Sequence, residues 1–372
     1  MSLEQAFFAL LRLGIGSSQA TEETCGELLH LSMKDWKAVM NLASGQDVMA
    51  IATDGLQALY DVYVKEQFRA AKESPQEWMM WTLENAGQMI QYEQRCEAQK
   101  RVVAEMADLL DEEGVKMMVF KGQANAALYP NPNHRATGDI DCYLFGEADK
   151  GDRLLSERCA KIDNSWYRHS KISYKGETIE NHRVMSHTRG GKKRREMEEE
   201  LRAMVRGERL EEIDGCSKAV MPTAQFNACF LTYHGLHHFT SEGLRMKQVL
   251  DWAVFLKKQQ EDVDWEAFDA FCGRYSLGRF AAVMNYIASE YLGVELSDKI
   301  KKDGVYAEKV VRSTLYDDDY LFNAGLSDWK VRWLLVKNML TRDRWKYEKV
   351  AGENVWRHLW QSILGFVSKA ED

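Results

Sequence analysis

Two aspartates, Asp139 and Asp141, flank a single isoleucine in the stretch Gly138-Asp139-Ile140-Asp141. In an extended strand, residues two apart share a face. Both carboxylates therefore come to one side, while Ile140, Cys142 and Leu144 turn to the other. Two carboxylates fixed together on a rigid strand repel each other unless a cation lies between them, which points to Mg²⁺ or Mn²⁺. Upstream, Val115 to Phe120 is an apolar run of the length of a buried strand. Lys121-Gly122 closes that run, and QANAALY then predicts a short helix. Pro130 and Pro132 end the helix and force an irregular connector. Gly122 has no side chain, so anionic oxygens can approach the backbone N–H groups at the helix start. Lys121 and Arg135 are the cations nearest the aspartates in sequence.

A pair of metal ions needs a third carboxylate from a neighbouring strand. Ser165 to Tyr174 and Glu177 to Met185 read as strands joined by the turn Lys175-Gly176, a hairpin. On its second strand Thr178, Glu180, His182 and Val184 share one face, and Glu180 is the candidate third acid. Asp163, Glu177 and Asp152 are its rivals, each in a predicted turn, strand end or helix. His182 either contacts substrate, orients a carboxylate or is structural. His234 and His238 have a spacing that could hold zinc, but HxxHH lacks the glutamate of HExxH. A helix-core or base-stacking role is the preferred reading of His234, His237 and His238. The run Lys192 to Arg195 could bind an acidic acceptor, although pairing with Glu196 to Glu200 on a solvated helix accounts for it.

The string of apolar strand, Lys-Gly, helix, Leu-Tyr-Pro, Arg and Gly-Asp-Ile-Asp resembles the active-site region of the DNA polymerase β-like nucleotidyltransferase superfamily. It looks most like a bacterial branch of uncharacterised nucleotidyltransferases. Lys121, Gly122, Leu128, Tyr129, Pro130, Arg135, Gly138, Asp139 and Asp141 carry the likeness. The usual Gly-Ser pair of the superfamily is Gly122-Gln123 here. The resemblance implies an NTP substrate, Mg²⁺ (or Mn²⁺) on Asp139, Asp141 and Glu180, and a nucleotide lined by Lys121, Gly122, Gln123, Arg135, Gly138 and His182. GLRMKQVLDWAVFL, with Arg245, Lys247 and Asp251, resembles the C-terminal part of the same family and could close over the base or acceptor.

The flanking sequence must position these groups. Residues 1–110 read as an N-terminal helical arm, residues 111–220 as an α/β core and residues 221–372 as a C-terminal helical domain. The expected class is α+β: a small mixed sheet of nucleotidyltransferase type with flanking helices. With 372 residues and 45% hydrophobic content the chain can bury a large core. A net charge of −8 argues against a broad nucleic-acid-binding surface and leaves room only for a local basic groove. Seven scattered cysteines without a CxxC pair argue against a disulfide framework or zinc ribbon. No run is long and apolar enough for a membrane span, and the start lacks a signal-peptide pattern, so a cytoplasmic location is expected. The expected activity is transfer of a nucleoside monophosphate from an NTP to an acceptor, a small molecule or protein, with release of pyrophosphate. The alternative is a binding or regulatory protein built on a degenerate core of this type.

Overall fold

The computed structural model describes residues 1–21, 26–63, 75–158, 161–188, 191–206, 210–213, 216–241, 243–317 and 327–360. Three helices open the chain, α1 (Leu3–Gly14), α2 (Met33–Gly45) and α3 (Met49–Tyr63). Ser2 and Ser32 start the first two by accepting a backbone N–H at the third helical position, and the side chain there returns the bond. Glycines let α1 and α3 meet: a Cβ on Gly55 would lie 2.1 Å from the Leu10 carbonyl oxygen. The long helix α4 (Pro75–Glu112) then runs 38 residues to the first strand.

The sheet has seven strands: β1 (Met117–Val119), β2 (Ile140–Tyr143), β3 (Lys161–Asp163), β4 (His169–Tyr174), β5 (Glu177–His182), β6 (Glu211–Ile213) and β7 (Cys216–Met221). Their order is β3-β4-β5-β2-β1-β7-β6. Antiparallel β1–β2 and parallel β2–β5 pairing make the sheet mixed, as the sequence predicts. The end of the core, Cys216–Met221, supplies β7, which pairs parallel with β1 inside the sheet. Edge strand β3 was not foreseen; its three residues, Lys-Ile-Asp, carry almost no apolar pattern.

Strand alternation sorts the two faces. Met117, Val119, Ile140, Cys142 and Ile179 pack against Val103, Met106 and Leu110 of α4. Met118, Phe120 and Tyr143 join the other core, which runs through the N-terminal helices and the C-terminal ones. That core includes α7 (Lys192–Val205), α8 (Ala224–Ser241), α9 (Met246–Gln259), α10 (Trp265–Tyr275) and α11 (Gly278–Tyr286). Two shorter helices complete the core region, α5 (Gly122–Ala126) after β1 and α6 (Ala148–Ser156) after β2. Among the described residues, no helix is long and apolar enough to cross a membrane.

Candidate active site

Parallel pairing of β2 with β5 sets Asp141 opposite Glu180 and Tyr143 opposite His182. Asp141, Glu180 and His182 thus share the sheet face away from α4, and Asp139 leads into the same strand two residues earlier. Asp141 is 6% exposed, whereas Asp139 is the more exposed residue, with its carboxyl partly shielded from water. A buried carboxylate needs partners. Lys121 Nζ lies 2.6 Å from Asp141 Oδ1, and His182 Nε2 lies 2.9 Å from the same oxygen. Burial alone would push the Asp141 carboxyl up, but the Lys121 ammonium and the His182 bond hold it far below the usual carboxylate range. Asp139 goes the other way: burial, then the charges of Glu180 and Asp141, raise its carboxyl.

The turn that delivers Lys121 is strained. Lys121 has φ 62° and Gly122 φ 25°, a region that non-glycine side chains avoid. A Cβ on Gly122 would come 3.6 Å from the Asp139 carbonyl oxygen, so glycine is needed there for its backbone angle. Helix α5 has only five residues, so little macrodipole stands behind Gly122, and any help to an anion would come from the N–H groups themselves. At Gly138 a Cβ would meet nothing closer than Lys247 Nζ at 4.0 Å, so the chain leaves that space open beside the aspartates.

Several residues expected near a nucleotide are committed elsewhere. Arg135, read as a triphosphate cation, is buried and bound to Asp251 of α9 through Nε and Nη2, both at 2.8 Å. Tyr129 Oη at 2.8 Å and Asn125 Nδ2 at 3.1 Å donate to the same carboxylate. The Leu-Tyr-Pro and Arg positions therefore anchor the connector to α9. Gln123 turns its side chain to α4, where Nε2 donates to Gln99 Oε1 at 3.3 Å. Gln99 Nε2 in turn donates to the Gly138 carbonyl at 2.6 Å and to Glu177 at 2.9 Å. That buried amide, which the sequence did not single out, holds the Gly138 loop to the start of β5. Its one sequence signal is a glutamine on the apolar side of a long helix.

His182 is 1% exposed and packs edge-on against Phe120, with ring centroids 5.0 Å apart. It reaches Asp141 from inside, the posture of a group that orients a carboxylate. Glu180 faces two imidazoles, His169 Nε2 and His182 Nε2, each 3.4 Å from one of its oxygens. Burial would raise the Glu180 carboxyl, yet the His182 bond and the charge of His169 bring it below its ordinary value. Of its rivals, Asp152 bonds Ser170, Asn181 and Arg183, Glu177 accepts from Gln99, and Asp163 lies on the edge strand. Lys192 bridges to Glu196 at 3.4 Å, the surface pairing expected of that helix. His234 and His238 face each other at 3.1 Å, and His234 stacks on Phe230 in the core.

Carboxylates are the donors a hard divalent cation takes. Asp141 and Glu180 share one face of the sheet, and the charges of both reach Asp139. Lys121 and His182 on Asp141 show an oxygen already balanced by positive or donating groups.

A family model described as an uncharacterised nucleotidyltransferase matches residues 32–293, more than half of the chain. Comparison with curated proteins and with solved structures found no match.

Proposed function

The chain belongs to this nucleotidyltransferase family, and from that premise we propose that it transfers a nucleoside monophosphate from an NTP to an acceptor hydroxyl or phosphate. The observation that carries the reading is the register of β2 and β5, with Asp141 opposite Glu180 and Asp139 two residues before. A divalent ion such as Mg²⁺, held by Asp139 and Asp141 with Glu180 nearby, would supply charge neutralisation at the phosphates and a more acidic acceptor. Lys121 balances Asp141 and can turn to a phosphate oxygen when the aspartate gains another partner. Lys247 replaces Arg135 as the second phosphate cation, since its ammonium borders Gly138 while Arg135 is locked to Asp251. Glu180 receives the acceptor proton. The acceptor oxygen bonds to the α-phosphorus, the bond from that phosphorus to the bridging oxygen breaks, and pyrophosphate leaves.

The second reading, a nucleotide-binding regulator, draws on Gln123 and Arg135, whose side chains serve the fold rather than the open face. Two measurements separate the two. Mg²⁺ with a non-hydrolysable NTP should raise the melting temperature of the wild type, since a ligand at a hundredfold excess over its Kd stabilises by about 2.7 kcal/mol. Asp139→Asn should abolish that response, and an equal shift in both proteins rejects the site. Transfer of label from the α-phosphate to an acceptor supports the enzyme; binding without any transfer supports the regulator.

A further inference from the structure

Among the described residues, one group of potential metal ligands stands out, and it is not the aspartate pair. It is His169, Glu180 and His182, whose ligand atoms all lie within 4.8 Å of one another. We propose that these three side chains form a site for a divalent transition metal, Zn²⁺ or Mn²⁺, beside the Asp139–Asp141 pair.

The donor geometry is the first argument. Donors about 2.0–2.1 Å from a tetrahedral zinc ion lie roughly 3.3 Å from each other. Each imidazole Nε2 stands 3.4 Å from one of the two Glu180 oxygens, close to that spacing. Strand pairing enforces it. His169 of β4 pairs with His182 of β5, Glu180 lies two residues back on the same face of β5, and both rings lean over its carboxylate.

The surroundings of His182 are the second argument. Its Nδ1 lies 3.3 Å from the Val184 carbonyl oxygen, a backbone acceptor of the kind that orients a metal-binding imidazole. Its Nε2 hydrogen-bonds Asp141 at 2.9 Å and stands 3.4 Å from Glu180, and a metal ion at Glu180 would take the place of the proton on that nitrogen. Asp141 does not depend on His182, because Lys121 remains at 2.6 Å.

Hardness is the third. Two imidazoles and one carboxylate suit Zn²⁺ and Mn²⁺ and are a poor cage for Mg²⁺, which takes oxygen donors. The open face would then carry two unlike positions: an all-oxygen one at Asp139 and Asp141, and a nitrogen-rich one at Glu180, with the acceptor proton passing to solvent when Glu180 holds the ion. The inference draws its location from the proposed nucleotide site but not its chemistry, so the two can fail separately.

The test uses the full chain, stripped with a chelator and free of nucleotide. Zn²⁺ is titrated in competition with a chromophoric chelator, and Mn²⁺ by the loss of its free-ion paramagnetic signal. One Zn²⁺ should bind per chain, and millimolar Mg²⁺ should not displace it. His169→Gln should weaken binding by more than the ~10–100-fold that loss of a supporting partner costs, and His169→Asp, which restores a donor, should recover part of it. His169 is partly exposed, so these variants should fold, as circular dichroism would verify. Pulsed paramagnetic resonance on the Cu²⁺-loaded protein should find two imidazole nitrogens in the wild type and one in His169→Gln. Unchanged affinity in His169→Gln, or a wild type without stoichiometric binding, overturns the site. Asp139→Asn should leave Zn²⁺ affinity intact. Zn²⁺ binding without any Mg²⁺–NTP response keeps the metal site and rejects the nucleotide reading; the reverse pattern does the opposite.

Discussion

Two buried acids, Asp251 of α9 and Asp141 of β2, are satisfied in opposite ways. Asp251 takes a bidentate guanidinium, a phenol and an amide, so both of its oxygens are filled by rigid or neutral donors. Asp141 takes a single lysine ammonium on a long side chain and an imidazole, both on one oxygen. Burial would raise the carboxyl of each, and in each the cation beside it keeps it low. The difference lies in what can replace the partner. Nothing displaces a bidentate arginine in a dry site. A metal ion, or a phosphate drawing off Lys121, can take over at Asp141. One acid closes the fold and the other leaves it open to chemistry.

Breaking the closed centre should give the largest effect. Asp251→Asn strands the buried Arg135 guanidinium, and removal of one partner of a buried pair costs about 3–5 kcal/mol. Chemical denaturation of the variant should show that loss. Arg135→Met combined with Asp251→Leu, which removes both charges, should recover much of it. A single variant as stable as wild type would mean that the clamp is not what holds the connector to α9.

The open centre should respond in the opposite sense. Asp139 has its carboxyl raised by burial and by the charges of Glu180 and Asp141. An acid whose folded pKa is raised destabilises the fold once it is ionised. Asp139→Asn should therefore melt at the same temperature as wild type or higher near neutral pH, while transfer activity falls by about a thousandfold, the order expected when several kcal/mol of charge stabilisation is lost. A fall in melting temperature to match the fall in activity would make Asp139 a structural residue.

Much of this contrast can be read from the chain. Period-two alternation told that Asp139 and Asp141 share a face and that Ile140 and Cys142 do not, because strand geometry allows only that. The hairpin turn at Lys175-Gly176 and the face of Glu180 follow from the same rule. The clamp between Arg135 and Asp251 is not legible in the sequence, and the reason is separation along the chain. Asp251 lies 116 residues after Arg135, and no local pattern says which of several acids a buried arginine will meet. Gln99 escaped notice for the same cause: it bridges Gly138 and Glu177, both far along the chain, from a helix whose period signals only packing. The closeness of His169 to His182 is hidden for a similar reason, since it depends on cross-strand register, which sets the two rings side by side.

The smallest predicted effect sharpens the comparison at the entrance to the motif, where His134 precedes Arg135. Its Nδ1 lies 2.8 Å from both oxygens of Asp54 on α3, and its Nε2 lies 3.1 Å from Glu93 on α4. Burial would lower its pKa, but the bonds and charges of Asp54 and Glu93 outweigh that and raise it. A raised histidine pKa stabilises the fold when the ring is protonated. The contribution is complete below the unfolded value of about 6.5 and disappears as pH climbs through the higher folded value. Hydrogen bonds to a charged group contribute about 1.5–3 kcal/mol in such settings. His134→Gln should therefore lose most stability near pH 6, and its gap from wild type should narrow toward pH 9, because the wild type surrenders the same charge. Unlike the Arg135 clamp, which holds its charge across that range, this tie between the connector and the N-terminal helices weakens with pH. A gap that stays constant or widens in denaturant titrations at the two pH values would show that His134 acts through packing instead of charge.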